Sequence, residues 1–414
     1  MDLKISKKQG LIFFDYITII VMILQFNTVW STFYIYYSTF LFVLLILDVI
    51  IILVFLLLYN KGSKDISKYL TWVLFIVFYI FFHYFISLIN GAKILEYIRL
   101  LIIIILAFTI YYFKIGFSNN NFKEFILRFI NVMTVYAFFS IFLWLFISYF
   151  GILKYNQTFE SSWGKSIYYG WNNIFFMKEP EIFSGKLLIR NIGIFTEAPM
   201  YSFLLCTAFL YLIFLDKSNS IVKPLILLFA IFTTYSITGF IIVISSIIIK
   251  ITLFSKNKFH SLIKIFIPLF LVVALIIIIY LFNQKLDTSS GITRLDDFKI
   301  GFLSMKDSFL FGWGYLNSEY VEKYTLIYRL SNNGLSNSLS TILIYGGIYL
   351  FLPYFILFIK AFLPCIKRHD YNRLFFIVFY SIMFLITNVP FNIITILLLF
   401  SLSYDYHLKD YKND

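Results

Sequence analysis

The chain reads as a succession of long apolar runs parted by polar joints. A helix needs about 20 apolar residues to cross the hydrocarbon core of a bilayer. Runs near that length recur at roughly 11–29, 33–59, 69–89, 97–113, 125–150, 197–215, 221–235, 237–254, 261–282, 336–359, 373–388 and 390–406. Two joints are slight. Ser236 alone parts one pair, and Asn388-Val389-Pro390 parts another, so each marks either a break between spans or a kink within one helix. The pattern predicts an all-α polytopic integral membrane bundle of about twelve transmembrane helices. It forms one domain over residues 1–414, because no polar stretch exceeds about 55 residues, the bottom of the domain size range.

Two connections are long, 151–196 and 283–335, and long ordered loops tend to carry function. The Lys and Arg residues predict the side on which they lie. With the N-terminus inside, short cytoplasmic segments hold 21 of the 34 basic residues, whereas short outside loops hold only Lys93 and Arg99. The positive-inside asymmetry therefore predicts both termini in the cytoplasm and both long loops on the outer face. The first run follows Lys4, Lys7 and Lys8 but lacks a small-x-small cleavage site, so it is expected to stay as an uncleaved helix.

In the second long loop Leu295, Phe298, Phe302, Met305 and Phe309 recur at helical spacing. They predict an amphipathic helix over 294–309 against the membrane surface or the bundle mouth. Thr293 with Asp296 makes a capping-box pattern at its start, and Gly312-Trp313-Gly314 ends it.

Composition narrows the function classes. The chain is 61% apolar and 13% charged, against about 45–50% and 25% for soluble domains. The net charge of +13 comes from basic residues scattered between apolar runs, which anchors helix ends and argues against a nucleic-acid partner. Cys206 and Cys365 form neither a CxxC pair nor a disulfide framework. No histidine has metal-ligand spacing to another, so neither metal nor cofactor is expected.

Chemistry-bearing residues cluster in the two long loops. RNIGIFTEAP (190–199) sets Arg190 and Glu197 at the mouth of the sixth run, with Pro199 suited to a first helical turn. The plain alternative is a helix-start turn with an internal ion pair. SGITRLDDF (290–298) carries Arg294, Asp296 and Asp297, and Arg329 follows in the same loop. The planar guanidinium fork binds phosphate oxygens bidentately, so these arginines suit lipid headgroups or lipid-linked pyrophosphates. Asn332, Asn333, Ser336, Asn337 and Ser338 form a polar cluster before the tenth run. It suits hydroxyl-rich ligands or plain helix capping. Trp163, Tyr168, Tyr169, Trp171, Trp313 and Tyr315 can stack on sugar rings or serve in an interfacial aromatic belt. Within the membrane, Asp48 and His83 are functional suspects, since a buried ionisable group costs about 3 kcal/mol at the bilayer centre. They favour a proton-coupled transporter, unless hydrogen bonds to neighbours satisfy them.

RNIGIFTEAP, then SGITRLDDFKIGFLSMKDSFLFGWG, then GLSNSLSTILIYGG occur in the order seen in the O-antigen ligase/polymerase superfamily. The chain resembles most the Wzy-type polymerases of capsular or exopolysaccharide repeat units. The resemblance implies a helical bundle of the membrane glycosyltransferase kind (GT-C-like) in the cytoplasmic membrane of a bacterium. Its implied activity joins oligosaccharide repeats carried on undecaprenyl pyrophosphate, as donor and acceptor, without nucleotide or metal. A chain-length regulator and a flippase are the further partners it suggests, beside membrane lipid. Arg190 and Arg294 fall where the family places pyrophosphate-binding arginines, with Arg329 as a third. Glu197 is the expected base, with Asp296 and Asp297 as alternates, and Asn333, Asn337, Trp171 and Trp313 are the expected sugar contacts. Ligases of the superfamily carry a His-Asn pair where this chain reads Ser336-Asn337, which argues against a ligase. A transporter or flippase is the alternative from another class, but its charges would line a cavity within the helices.

Overall fold

The computed structural model describes residues 7–59, 63–115, 119–160, 167–178, 181–183, 186–216, 220–254, 289–325 and 334–403. The expected span 261–282 and the residues Arg329, Asn332, Asn333 and Trp163 lie outside the described residues. The protein is an all-α polytopic membrane protein. Among the described residues, Ile66–Asn90, Ile94–Phe113, Lys123–Tyr149 and Ser338–Lys367 are long and apolar enough to cross a membrane, and shorter apolar helices accompany them.

The helices are α1 (Lys7–Leu24), α2 (Val29–Phe33), α3 (Ile35–Tyr59), α4 (Ser63–Ser87), α5 (Ile94–Ile115), α6 (Asn119–Leu143), α7 (Ala198–Phe214), α8 (Val222–Thr233), α9 (Ile237–Phe254), α10 (Ser289–Asp307), α11 (Ser318–Tyr324), α12 (Ser338–Lys367), α13 (Tyr371–Ile386) and α14 (Ile393–Ser403). Ser236 marks a true break, because Tyr235 turns left-handed between α8 and α9. Asn388-Val389-Pro390 likewise separates α13 from α14.

The chain divides into two compact units. One holds residues 1–132, 299–364 and 388–414. Here α5 packs on α14, α4 and α3, and α1 packs on α3. Asp48, which the sequence flags inside the membrane, is partly satisfied in this unit, its Oδ1 being buried without a hydrogen-bond partner. Thr18 donates its hydroxyl to Asp48, and Arg128 bonds Asp15 and Glu124.

The same unit corrects the reading of 336–359 as one uninterrupted span. Helix α12 is broken at Gly347, whose φ of 55° and ψ of −151° lie outside any helical conformation and in a region essentially reserved for glycine. Lipid offers no hydrogen bonds, so protein must satisfy the freed backbone groups. The segment after α10 does so. Trp313 N donates to Ile344 O (2.8 Å) and Gly314 N to Tyr345 O (3.1 Å), while Ile348 N donates to Phe309 O (3.0 Å) and Tyr349 N to Leu310 O (2.9 Å). A Cβ on Gly347 would come within 2.6 Å of the Phe309 carbonyl oxygen, so the crossing requires a glycine.

The second unit holds residues 133–298 and 365–387. Helix α7 is its centre, packed on α8, α9 and α13, and its residues are buried nearly all round. A helix buried on every side is apolar on every side, which explains why α7 shows no polar stripe.

The loop 151–196 contains two small antiparallel sheets. Strands β1 (Gln157–Glu160), β2 (Ile167–Trp171) and β3 (Phe175–Lys178) form one, and β4 (Glu181–Phe183) with β5 (Lys186–Leu188) forms the other. Asn172 and Asn173, both left-handed, close the β2–β3 hairpin. Asparagine tolerates that conformation better than most residues.

Helix α10 forms where an amphipathic helix is expected, but it starts at Ser289, so Thr293 lies inside it rather than capping it. Its orientation is informative. Leu295, Phe302 and Phe309 point outward at 56%, 59% and 51% exposure, whereas Asp296, Asp297 and Ser304 are buried. The division is not inside-out throughout, because Ile300 is also buried and Lys299, Lys306 and Asp307 are exposed.

Candidate functional site

The stretch 190–199 is held rigidly within the second unit. Helix α6 continues through a π-helical turn, Trp144–Tyr149, and the Trp144 indole donates to Ile189 O at 3.0 Å. Asn191 donates its backbone N–H to Thr233 O (2.9 Å) and its side-chain amide to Thr233 Oγ1 (2.9 Å) and Ser140 Oγ (3.3 Å). Gly193 is left-handed, at φ 60°, and the Ile194 N–H donates to the Tyr136 hydroxyl at 2.6 Å. A side chain at Gly193 would collide with that hydroxyl. The β2–β3 hairpin braces the other side. Phe176 N donates to Gly193 O (2.8 Å), and the Tyr168 hydroxyl donates to Thr196 O (2.7 Å).

This scaffold fixes two charged residues. The Arg190 Nε donates to Thr234 O at 3.0 Å and its Nη2 to Tyr235 O at 3.5 Å. Those carbonyls sit at the α8–α9 break, where a helix end leaves acceptors without internal donors. Glu197 is the N-cap residue of α7, extended at φ −145° and ψ 148°, with Pro199 in the first turn. Its carboxylate makes no cap hydrogen bond to the helix.

The third charged residue comes from α10. Arg294 donates Nη1 to Ile386 O at the end of α13 (3.3 Å), and its Nε is buried without a hydrogen-bond partner. Burial pushes its guanidinium down from the ordinary arginine range; nearby Glu197 pulls it back up, Arg190 pushes it down, and Asp297 pulls it up. An arginine stays charged at neutral pH under such perturbation. Arg190 and Glu197 from one stretch, and Asp297 from another about a hundred residues on, thus lie near enough to Arg294 in one unit for their charges to act on it. Two cations beside two carboxylates can bind a multiply charged anion and retain a proton acceptor next to it. Asp296, the neighbour of Asp297, is also buried.

The other candidate residues are each held by neighbours in their own unit. Asn337 belongs to the first unit and caps α12, its Oδ1 accepting from Ser340 N at 2.8 Å, while its Nδ2 is buried without a partner. The Ser338 hydroxyl accepts from Val389 N (3.0 Å), and Asn388 donates to Leu335 O (2.8 Å). Trp313 also lies in the first unit. Tyr320 stacks on it at 4.3 Å between ring centres, and Lys323 Nζ lies 5.4 Å from its ring centre. Trp171 ends β2 and packs against the Trp144, Ile147 and Phe175 cluster. Among the described residues, no group of three His, Cys, Asp or Glu side chains is placed to hold a metal ion.

The carbonyls that seat the arginines were not anticipated. Thr234, Tyr235 and Ile386 carry no chemical signature, but each lies at a helix break that Ser236 and Asn388-Val389-Pro390 announce. His83 follows the alternative that the sequence left open, since hydrogen bonds to Tyr97 and to the Phe311 carbonyl satisfy its ring within the first unit.

Residues 225–355 match the family described as O-antigen ligase. The matched segment runs from α8 past the break in α12. It includes Arg294, Asp296, Asp297 and Asn337 and stops short of Arg190 and Glu197. An all-α membrane protein with this match has the features of the O-antigen ligase/polymerase superfamily, which the three sequence stretches also resemble. The match supports a membrane enzyme of polysaccharide assembly as the class. No curated protein and no solved structure matches the chain.

Proposed function

We propose that the protein is a polymerase of undecaprenyl-pyrophosphate-linked oligosaccharide repeats, acting at the outer face of the bacterial cytoplasmic membrane. The observation that carries the reading is the grouping of Arg190, Arg294, Glu197 and Asp297. In the proposed reaction a hydroxyl oxygen of the acceptor repeat forms a bond to the anomeric carbon of the donor. The bond from that carbon to the pyrophosphate oxygen breaks, and undecaprenyl pyrophosphate leaves. Arg190 and Arg294 offset the negative charge developing on the leaving group, the kind of preorganised stabilisation that catalysis draws on most. Glu197 takes the proton of the acceptor hydroxyl, and Asp297 or Asp296 is the alternate base. The donor is already activated by its pyrophosphate, so no sugar nucleotide enters the scheme and EDTA is expected to leave it intact. Asn333, Asn337, Trp171, Trp313 and Arg329 stay as secondary candidates for gripping the sugars and the second pyrophosphate.

A second reading is a ligase, which the description of the matching family favours. Ser336 stands where the superfamily's ligases carry histidine, and this supports the polymerase. Purified protein supplied with lipid-linked repeats should give a ladder of products differing by one repeat. Transfer of a single preformed chain to a different acceptor, with no ladder, would establish the ligase. Lipid transport across liposomes with no change in length would establish a flippase.

A further inference from the structure

The first unit encloses a cavity of about 660 Å³ among α4, α5, α12 and α14 that the proposed chemistry leaves unused. Its walls are overwhelmingly apolar. It runs from Leu100 to Tyr112 along α5 and from Leu350 to Lys360 along α12. At about 1.5 Å rise per residue these stretches measure roughly 15–18 Å. That is about half of a hydrocarbon core ~30 Å thick, so the cavity has the depth of one leaflet.

Its two ends differ chemically. The Tyr69 hydroxyl lies 2.7 Å from Thr109 Oγ1, which fixes the start of α4 beside the end of α5. Phe400 packs on Tyr111 at 5.6 Å, which brings the end of α14 to the same level. Tyr112, Ser403 and Lys360 therefore gather at one end, and Leu100 and Leu350 at the other. Tyrosine and lysine are residues that meet a headgroup layer, the lysine reaching it along its flexible stem. Lys360 is exposed, and among the described residues it has no hydrogen-bond or ion-pair partner. An apolar slot one leaflet deep with a single uncommitted cation at its rim complements an amphiphile with an anionic head.

We infer that this cavity binds one anionic diacyl phospholipid, its acyl chains inside and its phosphate on Lys360. The Lys and Arg distribution places Lys360 on the cytoplasmic side, so the lipid belongs to the inner leaflet. It is therefore a different molecule from the lipid-linked donor and acceptor of the outer face. Its chains link four helices by apolar contact, and its head adds one charge-assisted contact.

Full-length protein mixed with limiting phosphatidylglycerol or phosphatidylcholine and examined by native mass spectrometry tests the site. One phosphatidylglycerol per chain should be retained in preference to phosphatidylcholine. Lys360→Ala should lower phosphatidylglycerol retention about five-fold, the effect of one basic residue at a membrane surface, and Lys360→Arg should restore it. Leu357→Trp, which fills the cavity, should reduce retention of both lipids; Lys360 lies at the surface, so the test does not depend on that core variant folding. Equal retention of the two lipids, or a Lys360→Ala protein that holds phosphatidylglycerol as wild type does, would overturn the inference. So would undecaprenyl phosphate displacing phosphatidylglycerol at equal mole fraction, which would give the cavity to an isoprenoid.

Discussion

His83 Nε2 lies 2.9 Å from the carbonyl oxygen of Phe311. A carbonyl can only accept, so Nε2 carries the hydrogen. Nδ1 then accepts from the Tyr97 hydroxyl at 2.8 Å, which leaves the Tyr97 oxygen to accept from Tyr315 N at 3.0 Å. The chain of bonds fixes the tautomer and pins both sides of the turn at 311–315. A membrane-embedded histidine invites a functional reading; here its two nitrogens are committed to holding the turn that closes the gap in α12.

His83→Phe is therefore expected to destabilise the protein rather than alter its reaction. An aromatic ring is kept, though a somewhat larger one, while two hydrogen bonds to buried groups are lost, at about 1–3 kcal/mol for each group left unsatisfied. Thermal melting of the detergent-solubilised protein should shift down, and the surviving folded fraction should make product at the wild-type rate per folded molecule. Loss of activity without loss of stability would return His83 to the list of proton carriers.

Gly347→Ala should be more damaging. The backbone conformation at this position costs a non-glycine residue on the order of 1–3 kcal/mol, and the new methyl group meets the Phe309 carbonyl oxygen. Expression level and melting temperature should both fall. Ala361→Gly, on the same helix but beyond the break, should lose only the ~1 kcal/mol typical of glycine in a helix, plus one buried methyl group.

Arg190→Ala and Arg294→Ala should each abolish polymer while protein level stays normal. Removing one donor that stabilises developing charge lowers rate by about 10²–10³. Lysine should rescue only partly, because it lacks the bidentate fork. The measurement is ladder length and rate with defined lipid-linked repeats. Wild-type rate from either alanine variant would strip that arginine of its assigned role.

Glu197→Gln keeps the shape of the side chain and removes its capacity to accept a proton. The variant should bind lipid-linked repeats and elongate them slowly. A normal ladder would move the base assignment to Asp297 or Asp296, each testable by the asparagine variant.

The orientation of the chain is checked by reporter fusions. Fusions at Ser63, Ser218 and Asn257 should report cytoplasm, and fusions at Ser161 and Ser289 the exterior. A cytoplasmic 151–196 segment would put Arg190 and Glu197 on the wrong face for outer-leaflet chemistry and would sink the polymerase reading.

The helices were legible because lipid solvent leaves a crude signature, apolar runs of spanning length. The breaks beside Ser236 and Asn388 were legible too, as polar joints. The interruption at Gly347 was not. Gly346-Gly347 sits in an otherwise unbroken apolar run, and its partner segment lies more than thirty residues earlier, so no local pattern reveals the pairing. The strands of 157–188 were hidden for another reason. Tyr168, Tyr169 and Trp171 suit an interfacial belt as readily as a strand, and only the Asn172-Asn173 pair marks the hairpin. At the site, residue chemistry pointed to Arg190, Glu197, Arg294 and Asp297 separately. Their proximity depends on how α7, α10 and α13 pack, which spacing along the chain does not encode.

The stitching of 309–314 across the gap in α12 has a consequence for which changes the chain can tolerate. Trp313 and Gly314 are sewn to Ile344 and Tyr345 on one side, and Leu335 is held by Asn388 on the other. Between these posts Tyr315 and Val321 are themselves buried, and Asn317 donates to Asn90 O at 2.7 Å. A change of length between Gly314 and Val321 would therefore pull on the helices against which this segment is seated. The broken helix and the segment that splints it can change only together, so the two behave as one inherited piece.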